Sequence, residues 1–444
     1  MGSDKLNTIL NTWGILFFVG VFAAAFIGYK EVIPDYMLVM HVVIALLYYM
    51  GLKYCVNHTN ITTVLSITLI YFTFISFLLR YLFWEYTGDP FADTIGCDSY
   101  RYERYALQLK DYDFIDYIRR VLKLPASKID DLGYTSVVYL TTKWFGDIGV
   151  ARNVILVINV FAITVSTYLI YKLCILLNIS RNIASFSAAV YGMFPFFVVF
   201  SAMGLKENIF CLMITASLYY MYKYKNDKRF SSLLAAVVFI ASTYLFRFAV
   251  CLMLCVVFIA SLYVNEHNRK SVWIVVLVAC AIGVAFLEVI IYNFSNIEME
   301  YIYVTAEKRM EESVGLGTTG WLIESVAAAF GPFPNFTYAV QYGIYHSAGL
   351  LLKSIFLNLF ACAGIVYVIK RFDYRYYPLV LYLIMGIFML LGTGFSLDMR
   401  FHVTFFPALM VLVAYALDTV KIRNVILWGY CACMCVVIAL YNLR

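Results

Sequence analysis

The sequence is short of charge. Asp, Glu, Lys and Arg make up only 14% of its 444 residues, against 63% that are hydrophobic, whereas soluble domains run at about 25% charged and about 45–50% apolar. With a mean hydropathy of +0.82, that shortage excludes a soluble domain and leaves a chain that crosses a membrane many times. A phosphate loop of the Gly-x-x-x-x-Gly-Lys type is missing, and so is His-Glu-x-x-His, so ATP hydrolysis and zinc proteolysis find no support. The 11 cysteines do not make a metal site. Cys431, Cys433 and Cys435 are closely spaced, but on a helix only Cys431 and Cys435 share a face, and no His or carboxylate joins them. Most of the rest lie within apolar runs, where a thiol behaves as a small hydrophobe. No cofactor is demanded; the carboxylates present are compatible with a divalent metal, though no ligand spacing requires one. A cleavable leader is also absent from the reading. The first apolar run, Ile9 to Ile27, is too long for a signal-peptide core and lacks a small-residue cleavage site. Leu6 stands where a myristoylation signal wants Ser or Thr.

What charge there is carries topology. The net charge of +6 comes from short basic clusters between apolar runs, the signature of the positive-inside bias rather than of nucleic-acid binding. At roughly 20 apolar residues per crossing, the chain is expected to be an all-α polytopic protein with about 13 passes. They fall near 9–28, 37–54, 62–86, 149–171, 183–200, 207–222, 230–245, 248–264, 271–292, 346–368, 377–393, 402–417 and 425–442. The stretch from Ser231 to Val264 is read as a hairpin of two short passes. With a cytoplasmic N-terminus, that choice puts Lys53, Lys172 with Arg181, the Lys223–Arg229 cluster, Arg269 with Lys270, Lys370 to Arg375, and Lys421 with Arg423 all on the inner side. It also moves Arg247 from mid-bilayer, where it would cost about 2.5–3.5 kcal/mol, to an outer turn.

Two long outer loops result, about 85–149 and about 293–346, and loops of that length are usually functional. The chain is read as one integral-membrane domain: two N-terminal spans over 1–61, a loop-bearing module over 62–292, and an outer lid loop with the C-terminal spans over 293–444. In the first loop, "DSYRYERYALQLK" has helical spacing, with Asp98 at the helix start and Tyr102 on the same face. Asp98 has two readings: a helix cap paired with Arg101 three residues on, or a functional acid supported by Asp93 upstream. The following "DFIDYIRRVLKL" places Phe114, Ile118, Val121 and Leu122 on one stripe edged by Arg119, Arg120 and Lys123, a helix suited to lie at the membrane surface. Further outward charges are Lys206 and Glu207 at the start of a pass, Arg247 at the hairpin turn, and Asp398, Arg400 and His402 in "SLDMRFH". Lys353 and Glu288 lie near the outer ends of their spans. Ionisable groups at membrane depth are site candidates, although snorkelling, lipid-phosphate contact or a solvated turn would account for each singly. In the second loop, the glycines from Gly315 to Gly320 suit a hinge, and the apolar piece after them suits a segment dipping into the bilayer.

A carboxylate and several cations gathered at one membrane face suit a substrate carried on lipid phosphate. The acid removes a proton from an attacking hydroxyl and the cations neutralise the departing phosphate. The run from Asp98 through Tyr102 and Ala106, then "LGYTSVVYLTTKWFGDIGVARNVILVINV", "YGMFPFFVVFSAMGLKENIF" and "YLFRFAV", resembles the integral-membrane glycosyltransferases of the C-type (GT-C) superfamily over about residues 62–292. The resemblance implies transfer of a sugar from a polyprenyl-phosphate donor to a glycan or lipid-linked acceptor on the extracytoplasmic side. Asp98 is then the base, with Asp93 as second choice. Arg101, Tyr102, Lys206, Glu207, Arg247, Lys353, Asp398, Arg400 and His402 are candidates for substrate binding. The extra N-terminal spans and "GCDSYRY" are also similar to bacterial polysaccharide repeat-unit polymerases, which implies a cell-envelope role in a bacterial inner membrane. A transporter or lipid-linked glycan flippase is the rival from another class. Such proteins tend to carry paired repeats and charges near the midplane, whereas here the charges gather at one face.

Overall fold

The structure is a computed structural model that describes residues 3–23, 34–88, 98–123, 131–268, 304–309, 311, 318–334 and 343–442. Among these residues there are helices and no strands, as expected where backbone polar groups must be satisfied within the segment that crosses a bilayer. The chain divides into two compact units, one of residues 1–254 and 336–349, the other of residues 255–335 and 350–444.

The first unit opens with α1 (Ser3–Ala23), α2 (Asp35–Asn57) and α3 (Ile61–Thr87). Asn60 caps α3 by accepting from the Thr62 N–H at 3.1 Å, and Gly88, at φ +69°, ends it. Along α3, Val64, Thr68, Phe72, Ile75 and Leu79 are buried, while Ile70, Phe74 and Tyr81 are exposed. An apolar exposed face of that kind belongs against lipid. Three helices occupy the stretch before the next span: α4 (Asp98–Leu109), α5 (Phe114–Val121) and α6 (Leu132–Phe145). Then come α7 (Ile148–Leu176), α8 (Arg181–Gly192), α9 (Pro195–Ala202), α10 (Glu207–Asp227), α11 (Phe230–Tyr244) and the first part of α12 (Phe248–Tyr263), whose residues from Cys255 on are counted with the second unit. The expected span at 183–200 is therefore two helices, divided where Pro195 starts α9 and cannot supply an N–H to the preceding turn. Small residues let α8 sit at the centre: a Cβ on Gly192 would stand 2.3 Å from the Thr167 hydroxyl on α7, so only glycine permits that approach.

In the second unit lie α13 (Thr318–Phe330), the end of α14 (Gly343–Leu352), a π-helical turn at Lys353–Leu357, α15 (Asn358–Arg371), α16 (Tyr377–Thr393), the short α17 (Met399–His402), α18 (Phe406–Thr419) and α19 (Asn424–Asn442). Gly364 brings α15 onto α18, with the Leu412 carbonyl 2.7 Å from where its Cβ would be. At and past the end of α13, the carbonyls of Phe330, Gly331, Pro332 and Pro334 accept from side chains. Asn358 Nδ2 donates to Phe330 O at 2.6 Å, Lys353 Nζ to Gly331 O, Ser354 Oγ to Pro332 O at 3.3 Å and Asn442 Nδ2 to Pro334 O at 2.9 Å.

Among the described residues, eight helical segments are long and apolar enough to cross a membrane, and they coincide with the expected spans near 37–54, 62–86, 149–171, 183–200, 346–368, 377–393, 402–417 and 425–442. Shorter apolar helices stand at 7–22, 230–244 and 248–263. The break at Leu245–Arg247 makes the 231–264 stretch two helices. The expected span at 271–292, Glu288 within it, and the glycines from Gly315 to Gly317 lie outside the described residues. On α5 the face packed on protein is centred on Tyr117, and Phe114 and Leu122 of the expected surface-lying stripe are left uncovered. Tyr117 and Val121 are buried, while Phe114 and Leu122 are exposed and Ile118 is only partly covered. The reason is aromatic packing: the Tyr117 ring stacks on Tyr139 of α6 with centroids 3.9 Å apart, and that contact sets the rotation of the helix.

Candidate functional site

Three turns of the first unit meet: the start of α4, the residue before α6, and the connection from α9 to α10. The last of these is held carbonyl by carbonyl. Arg80 Nε on α3 donates to Ala202 O at 3.2 Å, Ser99 Oγ on α4 to Met203 O at 2.6 Å, Tyr134 Oη on α6 to Gly204 O at 2.8 Å, and Asn159 Nδ2 on α7 to Leu205 O at 3.3 Å. The carbonyls of Val199 to Ser201 at the end of α9 are taken by the N–H groups of Met203 to Leu205, and the next four, from Ala202 to Leu205, each receive a side-chain donor from a different helix. Gly204, at φ +66°, supplies the backbone conformation the turn needs. The next two residues are Lys206 and Glu207, so their position is fixed from four directions.

A carboxylate closes the assembly. Asp131 immediately precedes α6, a natural capping position, yet its side chain makes no cap hydrogen bond. It turns instead to other partners. Oδ1 accepts from Lys206 Nζ and from Tyr102 Oη at 3.2 Å, and Oδ2 accepts from Arg101 Nη2 at 2.7 Å. The same Arg101 Nη2 lies 2.9 Å from Asp98 Oδ1, so Arg101 bridges the two acids. Lys206 Nζ also donates to the Phe246 carbonyl at 3.2 Å, and Glu207 Oε1 pairs with Arg247 Nη2 at 3.5 Å. Of the sequence candidates, Asp98, Arg101, Tyr102 and Lys206 thus form one chain of contacts, with Glu207 and Arg247 joined to it through the turns they occupy.

Exposure separates the roles of the two acids. The Asp98 side chain is 32% exposed, against 14% for Asp131 and 8% for Lys206, so Asp98 is the more accessible of the two acids. Burial pushes the Asp131 carboxyl up, but Lys206, Arg101 and the Tyr102 hydroxyl more than offset it and hold it below the usual carboxylate range. Burial works against the Arg101 charge, and Asp131 and Asp98 outweigh that to raise its pKa. For Tyr102, burial first and then the neighbouring carboxylates push the phenol well above its usual value, so it serves as a hydrogen-bond donor.

The turn carrying Phe246 approaches α6 through a glycine. The Gly133 N–H donates to Leu245 O at 2.9 Å, and a Cβ at Gly133 would stand 2.7 Å from the Phe246 ring. Gly133→Ala is therefore expected to displace Phe246 and with it one acceptor of Lys206. The overpacking should cost about 1–3 kcal/mol, read as a lower midpoint in a thermal melt together with reduced turnover. Behind this layer, Glu103 on α4 takes Arg152 of α7 bidentately at 2.8 and 2.7 Å. Glu103→Gln should destabilise the protein by about 3 kcal/mol, the low end of the range for breaking a buried pair, and a melt of the purified variant would measure it.

The remaining candidates have contacts of their own in the second unit. Asp398 caps α17 through the Arg400 N–H at 2.9 Å and pairs with the Arg400 guanidinium at 2.9 Å. His402 Nε2 lies 2.6 Å from Ser396 O, and Lys353 is buried on Gly331 O. Asp93 falls outside the described residues, and these hold no group of three His, Cys, Asp or Glu placed to bind a metal. The sequence reading missed Asp131, Arg80, Glu103 and Arg152. An Asp directly before the apolar run of α6 was a visible helix-start signal, but nothing local announced its partners.

The dolichyl-phosphate-mannose-protein mannosyltransferase family matches residues 137–292, from within α6 through α12 and on. Lys206, Glu207 and Arg247 fall inside that stretch; Asp98, Arg101 and Asp131 precede it. No curated protein and no solved structure matches the chain. A glycosyltransferase family matched across these helices, in a chain built of membrane-spanning segments, supports the GT-C superfamily for this protein: it is a glycosyltransferase held in the membrane.

Proposed function

We propose that the protein moves a sugar from a polyprenyl-phosphate-linked donor to a glycan or lipid-linked acceptor at the extracytoplasmic face of a bacterial inner membrane, with the N-terminus in the cytoplasm. The observation that carries this reading is the continuous contact from Asp98 through Arg101 and Asp131 to Lys206. In the transfer, an acceptor hydroxyl gives its proton to the Asp98 carboxylate as its oxygen bonds to the anomeric carbon. The bond from that carbon to the phosphate oxygen breaks, and the polyprenyl phosphate leaves with the electron pair. Lys206 and Arg101 stabilise the negative charge that grows on it, with Arg247 adding positive charge from the next turn. The placement of the basic clusters between spans supports the outward orientation.

The test is direct. Purified full-length protein in lipid is incubated with a panel of polyprenyl-linked sugars, mannosyl polyprenyl phosphate first, and the products are weighed by mass spectrometry. Appearance of a product heavier by one sugar supports the reading. Transfer of a whole oligosaccharide from a diphosphate carrier would make the protein a repeat-unit polymerase, and passage of labelled lipid across sealed vesicles without covalent change would make it a flippase.

A further inference from the structure

We propose that Asp131 is a positioning residue for the leaving phosphate: its two oxygens hold Lys206 and Arg101 apart and aimed together, beside the more exposed Asp98. The inference deepens the transferase reading and rests on it. Three features support the assignment. One carboxylate accepts from a lysine, an arginine and a phenol at once, three donors that a phosphate oxyanion also uses. The carboxylate gives up its natural cap position on α6 to do so, which a group retained only for helix stability would not. It is also well covered while Asp98 is open, which suits a residue acting through its neighbours rather than on substrate.

The charge balance yields a signature that loss of folding cannot imitate. Asp131→Asn removes a negative charge from between two cations, so the site becomes more positive and holds a phosphate in the ground state at least as firmly as before. The amide no longer fixes both cations, so alignment in the transition state is lost, and displacement on the scale of an ångström costs about 100-fold. Binding and turnover should therefore move in opposite directions. Asp131→Glu, which keeps the charge one carbon further out, should recover a large part of the turnover.

The experiment uses full-length protein in nanodiscs and two readouts: binding of polyprenyl monophosphate, and turnover of mannosyl polyprenyl phosphate or whichever donor the panel identifies. The expected result for Asp131→Asn is a polyprenyl monophosphate Kd unchanged or lower, turnover down about 100-fold, and partial rescue in Asp131→Glu. Parallel loss of binding and turnover in Asp131→Asn, with no rescue in the glutamate variant, would overturn the assignment by making Asp131 merely structural. So would full turnover in Asp131→Asn, or loss of the rising limb of the pH–rate profile in Asp131→Asn and not in Asp98→Asn, which would make Asp131 the base. Wild-type protein that binds polyprenyl monophosphate but transfers no sugar overturns the transferase reading, and the role of Asp131 at a leaving phosphate falls with it, whereas transfer by wild type leaves the Asp131 variants to decide the assignment alone. Wild-type protein that fails to bind it overturns both.

Discussion

Asp98→Asn should abolish measurable sugar transfer while leaving expression and thermal stability near wild type. The size of the effect follows from the step removed. An amide of the same shape accepts no proton from the attacking hydroxyl, and positioned general-base catalysis contributes about 10²–10⁴-fold. The small effect on folding follows from the surroundings. Asp98 is partly exposed and pairs with Arg101, three residues along the same helix, a type of pair worth about 0.3–0.5 kcal/mol at a surface. Arg101 keeps its 2.7 Å contact with Asp131, so the bridge does not come apart. Product formation by mass, scored beside a thermal melt, gives the check: retained transfer in Asp98→Asn removes this residue as base and returns Asp93, outside the described residues, to first place.

That outcome matters because the molecule shows Asp98 paired with Arg101, and the assay decides whether it is also the base. The ion pair with Arg101 was legible from a spacing of three on a helix, and the start of α4 at Asp98 was legible from the same pattern. The break between α11 and α12 could be read from the distribution of Lys and Arg along the whole chain, since a single long helix would have turned three basic clusters outward. Asp131 could not be read in that way. Its partners Arg101 and Lys206 lie 30 and 75 residues distant in sequence, and no helical or strand period links positions so far separated. Only the meeting of three turns reveals it. The same holds for the carbonyls of Ala202 to Leu205, whose donors come from α3, α4, α6 and α7: the residues are ordinary Arg, Ser, Tyr and Asn, and their purpose appears only when the turn is in place. The stacking of Tyr117 on Tyr139 escaped for a different reason. A stripe drawn from aliphatic spacing undervalues tyrosine, whose ring buries as much area as most aliphatic side chains.

Lys206→Met should lower turnover by about 10²–10³-fold, the cost of removing one donor aimed at a developing anion, and should weaken polyprenyl monophosphate binding as well. Methionine fills a similar volume, so packing around the Phe246 carbonyl and the α9–α10 turn is largely kept. Asp131 retains Arg101 and Tyr102 as donors. The decisive measurement combines this change with Asp131→Asn. If Asp131 acts by holding Lys206, the second substitution has little left to disturb once the lysine is gone, and the double variant should turn over nearly as fast as Lys206→Met alone. Two independent contributions would instead multiply, giving a further loss of about 100-fold. Phosphate binding sharpens the distinction: Asp131→Asn should hold or strengthen it when Lys206 is present, whereas after Lys206→Met any gain must come through Arg101 alone and should be smaller. A multiplicative loss of turnover, or an undiminished gain in binding without the lysine, would separate the two residues and leave Lys206 to be positioned by the clamped turn rather than by Asp131.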